Sequence, residues 1–226
     1  MSWFGRYLKS SVGTKHVMAG TGLLLVGFVL AHMAGNLQVF KGREALNAYA
    51  ETLQAMGPLL WVARLGLIAI VLVHIASAVR LVAMNSAARP VPYKRVHREK
   101  STFASRAMPM TGMIVLAFII FHLLHFTAGV IQHGNYEMVD EFGRHDVYGM
   151  VVAGFQSPIV SGFYILSMIL LALHLNHGCS SFFQSLGLNH PKYNGVFKMV
   201  GPAFATLVLV GNCAMPIAVL AGVIKL

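Results

Sequence analysis

A chain of 226 residues with 57% hydrophobic and 11% charged side chains and a mean hydropathy of +0.68 has too little polar surface to coat a compact body in water. Its apolar runs match a hydrocarbon core about 30 Å thick, so lipid is the expected solvent. The net charge of +10 does not point to nucleic acid, because the basic residues gather between apolar runs instead of along one soluble face.

The first sixteen residues are polar and basic, and no small-residue cleavage site follows the first apolar run, so no signal peptide is expected. Five apolar runs follow, at about 17–40, 59–85, 107–132, 154–182 and 199–224, each long enough to span a bilayer. The expected fold is an all-α membrane protein, a single domain over residues 1–226 with five transmembrane helices. Between runs two and three, Arg80 to Arg106 includes Arg89, Lys94, Arg95, Arg98 and Lys100 against one Glu99, which puts this segment on the cytoplasmic side. Topology then places the N-terminus, with Arg6, Lys9 and Lys15, on that side too. The connection carrying Glu137, Asp140, Glu141 and Asp146 faces outward, and Lys192 and Lys198 mark the last inner loop.

The chain repeats itself. Met18, Thr21, Gly22, Phe28 and His32 recur as Met108, Thr111, Gly112, Phe118 and His122, ninety residues on. Runs two and four pair more weakly, with His74 and His174 at the same point of an aliphatic stretch. This predicts a four-helix bundle built from a duplicated two-helix unit, plus a fifth helix.

Of eleven histidines, His32, His74, His122 and His174 lie deep in separate spans, where ionisable groups are costly and point to function. Each sits about fifteen residues, or ~22 Å, past the start of its span, beyond the midplane of a ~30 Å core. Helices one and three enter from the cytoplasm, so His32 and His122 form an outer pair. Helices two and four enter from outside, so His74 and His174 form an inner pair. Two neutral imidazoles facing each other in a bundle suit a six-coordinate b haem, and the chain is expected to hold two, non-covalently, with irons roughly 15 Å apart in depth. Small residues near the ligands, Ala31, Gly35, Ala76, Ala78 and Gly178, either admit a macrocycle or serve helix packing. His125 and His177 follow ligands at i+3, and polar packing or a hydrogen bond near a haem is favoured for them over a zinc or di-iron site, which lacks a deep carboxylate. Cys179 and Cys213 are read as small buried side chains without a disulfide.

The set Thr21-Gly22, His32-x-x-x-Asn36, His74, Ser105-Arg106-x-Met108-x-x-Thr111-Gly112, His122-x-x-His125-Phe126 and His174-x-x-x-Gly178 resembles the di-haem cytochrome b membrane anchor of succinate dehydrogenases and fumarate reductases, over nearly the whole chain. The resemblance implies a distal haem on His32 and His122 and a proximal one on His74 and His174. It also implies a flavoprotein subunit and an iron–sulfur subunit on the cytoplasmic side, a membrane quinone, usually menaquinone, as substrate, and a bacterial cytoplasmic membrane. The basic segment from Arg80 to Arg106 is then a docking surface, a topology determinant, or both. In some members an acid two positions before the fourth-span ligand carries a proton path; here that position is Ala172, so this path is expected to be absent.

Glu44 and Glu51 follow helix one; as acceptor of the proton from quinol oxidation Glu51, closer to helix two, is favoured over Glu44, while a plain solvated acid remains the leading reading of either. Arg64 either pairs with outer haem propionates or snorkels outward. Lys15, His16 and Arg106 are candidates for the inner propionates. The competing expectation is a cofactor-free transporter or proton channel lined by histidines.

Overall fold

The computed structural model describes residues 2–88 and 102–226. The basic residues 89–100 of the second connection lie outside them.

The chain opens on α1 (Trp3–Lys9), capped by the Ser2 hydroxyl, and turns into α2 (Ser11–Asn36) at Ser10. Ser10 serves both helices: its hydroxyl donates to the Tyr7 carbonyl (2.6 Å) and accepts from the Gly13 amide (3.0 Å), satisfying orphan groups of each terminus. Gly13 is required here, because a Cβ would overlap the Tyr7 carbonyl. A 3₁₀ turn (Leu37–Lys41) then leads through Gly42 into α3 (Arg43–Ala55), so the acids Glu44 and Glu51 lie on a helix rather than a loop.

The second and fourth long helices start alike. α4 (Pro58–Ala87) and α8 (Pro158–Ser185) each carry proline at the first position, where the missing N–H costs nothing. Between them lie α5 (Phe103–His122), capped by Thr102, a π-helical turn (Leu123–Thr127), and the short α6 (His133–Tyr136) and α7 (Val147–Phe155). α9 (Asn194–Leu220) ends the order. Span three is shorter than the apolar run 107–132 because the helix gives way to the π turn after His122 and to coil beyond Thr127. Span four begins at Pro158 rather than 154, since the chain breaks between α7 and α8. The Ser161 hydroxyl repairs that break by donating to the Phe155 carbonyl (2.6 Å).

α2 with its 3₁₀ turn, α4, α5 with its π turn, α8 and α9 are the five helices long and apolar enough to cross a membrane. They are apolar on most sides, and α4 exposes Leu59, Val62, Leu65, Ile68, Leu72 and Val79, a surface fit for lipid rather than water. α2 packs on α4, α5 on α8, and α8 on both α5 and α9, so each repeat is a helix pair. Gly201 on α9 lies flush against α8; a Cβ there would overlap the Asn176 carbonyl and Ser180 Oγ. Cys179 and Cys213 are both free thiols.

On the side away from the N-terminus, α3, α7 and the segment before α7 form a polar cap. Arg144 reaches Asp140 (2.8 Å), Glu44 (2.6 Å) and Glu51 (3.4 Å), while Arg43 reaches Asp146 (2.6 Å). Buried Asn47 donates to Asp140 (3.1 Å) and Asp146 (2.9 Å) and accepts from the Tyr148 amide (2.9 Å). The hydrogen bond from Arg144 holds the Glu44 carboxyl below its usual range. Burial pushes Asp140 the other way, but the backbone and side chain of Arg144, with Asn47 and the Phe142 amide, outweigh it and lower its pKa.

Candidate functional site

The four deep histidines fall into the two pairs that depth predicts, and each pair is set by a different local device. His74 on α4 lies against α2, where Thr21 Oγ1 stands 3.1 Å from its Nδ1. The Thr21 hydroxyl already gives its one proton back to the helix, to the carbonyls of Val17 (2.8 Å) and Met18 (3.1 Å). It can therefore only accept from the imidazole, which fixes the proton on Nδ1 and leaves Nε2 with its lone pair. The second repeat copies this. Thr111 Oγ1 gives its proton to Ala107 (3.1 Å) and Met108 (3.2 Å) and stands 3.3 Å from Nδ1 of His174. The glycine after each threonine gives the ring its place: a Cβ at Gly22 would lie 3.5 Å from His74 Cε1, and one at Gly112 3.6 Å from His174 Cε1. Any side chain longer than alanine would run into the imidazole.

The other pair is in direct ring contact. His32 and His122 have centroids 5.7 Å apart with planes at 85°. Each is backed by the phenylalanine one turn earlier, Phe28 on His32 at 5.3 Å and Phe118 on His122 at 5.7 Å. His122 Nδ1 lies 3.3 Å from the Tyr164 hydroxyl on α8, which is also 3.0 Å from Nδ1 of His125. His125 is buried in the π turn, and its Nε2 meets Gln132 Oε1 at 2.9 Å. His32 makes no side-chain hydrogen bond among the described residues.

The separation of the pairs follows from these contacts. Thr21 is level with His74, and His32 lies eleven residues further along α2. At 1.5 Å per residue the two levels are about 16 Å apart, and Thr111 and His122 repeat the count on α5.

The polar residues singled out by sequence are placed otherwise. Glu51 is held by Arg144 and its side chain is 59% exposed, and Glu44 is bound to the same guanidinium more closely. Both acids therefore face Arg144 in the polar cap. Arg64 is exposed and lies over the Trp61 ring at 5.1 Å. Lys15 is exposed on α2, His16 bonds the Tyr7 hydroxyl, and Arg106 is exposed in the first turn of α5. Gly35 does not open the bundle to a macrocycle: a Cβ there would press on the Tyr49 ring, so this glycine seats α3 against α2. Gly178, by contrast, faces open space.

Sequence reading missed Tyr164 and Gln132 and gave the two threonines no task. A signal was present for Tyr164, since a tyrosine in an aliphatic span needs a partner for its hydroxyl. Gln132 carried none, because its left-handed backbone (φ 54°) emerges only with the turn.

His32 and His122 come ring to ring from α2 and α5, and His74 on α4 and His174 on α8 are each seated by a threonine. Among the described residues no three His, Cys, Asp or Glu side chains converge on a bare ion. A metal at either level would take its remaining ligands from a prosthetic group, and two neutral imidazoles in an apolar bundle fit a haem in that respect. No family model, curated protein or solved structure matches the chain.

Proposed function

We propose that this chain is the di-haem cytochrome b anchor of a succinate:quinone oxidoreductase, a succinate dehydrogenase or fumarate reductase, in a bacterial cytoplasmic membrane. The observation that carries the reading is the seating of His74 and His174 on Thr21 and Thr111, about 16 Å along the helices from the facing rings of His32 and His122. In this reading His32 and His122 bind the outer haem and His74 and His174 the inner one. The two haems, when bound, supply one-electron carriers that span the bilayer.

The chain's own residues bind and orient. Thr21 and Thr111 hold the inner imidazoles with Nε2 free, and Phe28 and Phe118 restrain the outer rings. The apolar faces of the helices keep water from the electron path. The flavoprotein and iron–sulfur subunits dock on the cytoplasmic face, where the basic connection supplies positive charge, and a membrane quinone, menaquinone by resemblance, exchanges electrons with the chain.

The test is purification from native membranes with reduced-minus-oxidised spectra, a pyridine haemochrome count and an assay of succinate–quinone activity. Two b haems per chain and co-purifying flavin and iron–sulfur subunits are expected. A colourless chain that conducts solute or protons in liposomes would replace this reading with the transporter or channel.

A further inference from the structure

His122 differs from the inner ligands in what stands behind it. His74 and His174 rest on threonines whose hydroxyls end on their own helices. His122 rests on a chain of side chains from three parts of the fold, ending at Gln132.

The direction of that chain can be derived. Asn135 Nδ2 donates to Gln132 Oε1 (3.3 Å), which marks this oxygen as an acceptor, so the 2.9 Å contact from His125 Nε2 is a donated N–H. A buried imidazole with no carboxylate among its contacts is neutral and has one N–H, so its Nδ1 must accept. The Tyr164 hydroxyl therefore donates to His125, across 3.0 Å. Having given its proton there, Tyr164 can only accept from His122, and the proton of His122 is held on Nδ1. Nε2 of His122 is left with its lone pair.

Three features of the backbone exist to hold this arrangement. The π turn Leu123–Thr127 places His125 inside the fold, a geometry that recurs at functional sites. Gln132 is the one non-glycine residue with positive φ among the described residues, a conformation that persists only where its surroundings enforce it. Gly154 on α7 makes room: a Cβ would stand 3.2 Å from His125 Nε2 and 3.3 Å from Gln132 Oε1.

We infer that Tyr164, backed by His125 and Gln132, is a positioning residue that fixes the tautomer of His122 and raises its donor strength, so that the outer metal site is tuned separately from the inner one. The inference rests on the di-haem reading. A ligand imidazole whose N–H is hydrogen-bonded is the more basic one and favours the oxidised metal; cooperativity along the chain strengthens this.

The test uses the purified complex and two readouts besides activity: the haem count, and the low-temperature EPR and redox titration of each haem. Tyr164→Phe keeps the ring and removes the hydroxyl. Two haems should remain, with the midpoint potential and low-spin EPR signal of one haem shifted, the potential upward, and the other haem unmoved. His125→Leu should shift the same haem, whereas His125→Gln, which keeps an acceptor for Tyr164 and a donor for Gln132, should restore the wild-type signal. Identical spectra for wild type and Tyr164→Phe would overturn the inference, as would equal shifts of both haems. If wild type holds no haem, the di-haem reading itself has failed, which the haem count reports independently of the variants.

Discussion

Thr21 and His74, fifty-three residues apart in the chain, meet at 3.1 Å between Oγ1 and Nδ1, and Thr111 and His174 repeat the contact at 3.3 Å in the second helix pair. The repeat therefore preserves a two-helix chemical unit, in which one helix supplies the ring and the other decides where its proton sits.

Thr21→Val and Thr111→Val should each weaken metal-site occupancy of the same pair, because loss of an outer-shell hydrogen bond typically costs about 10–100-fold in affinity. Haem retained after dilution and gel filtration measures it. The two variants should behave alike, and Thr→Ser at either position should be milder, since serine keeps the hydroxyl.

On the proposed di-haem reading, replacing either member of a pair should remove one haem and spare the other. His74→Leu and His174→Leu should give the same one-haem spectrum, while His32→Leu and His122→Leu should give the complementary one. A spectrum shared by His74→Leu and His122→Leu would refute the pairing.

The far-side cap should make stability fall in acid. Arg144 holds the Glu44 carboxyl below the usual carboxylate range, and, against the opposing effect of its burial, Arg144, Asn47 and backbone hydrogen bonds hold Asp140 below it too. A carboxylate with a lowered folded pKa contributes stability that is complete above its unfolded value and is lost as pH falls through its folded value. The thermal midpoint of wild type should hold from pH 7 to about 5 and drop below pH 4. In Arg144→Gln the midpoint should start lower and change less over that acid range. Parallel curves for the two proteins would show that the cap does not carry this dependence.

Gly201→Ala should destabilise the α8–α9 contact. The added methyl overlaps a backbone carbonyl of Asn176, which cannot swing aside as a side chain can. Overpacking of this kind costs about 1–3 kcal/mol, read as a lower thermal midpoint in detergent. Gly195→Ala, on the same helix but facing open space, is the control and should leave the midpoint in place.

Five long apolar helices, the depth of His32, His74, His122 and His174, and the ninety-residue repeat were all legible in the amino-acid order. Hydropathy and helical rise act locally, so a run of about twenty apolar residues determines a span wherever it lies. The same local logic failed where geometry depends on a neighbour. The α-helix of span three gives way at His122 to a π turn that buries His125 against Tyr164 and Gln132, which no periodicity encodes. Arg144, ninety-three residues away in sequence, was invisible as the partner of Glu51. The amino-acid order leaves Gly35 between an opening for a ligand and a packing role, because it does not show Tyr49, which lies against it. The sequence by itself determined which residues lie at which depth. Only the tertiary structure decided which nitrogen of His74, His122 and His174 is left free, because that choice belongs to whichever hydroxyl the packing of another helix brings within hydrogen-bond reach.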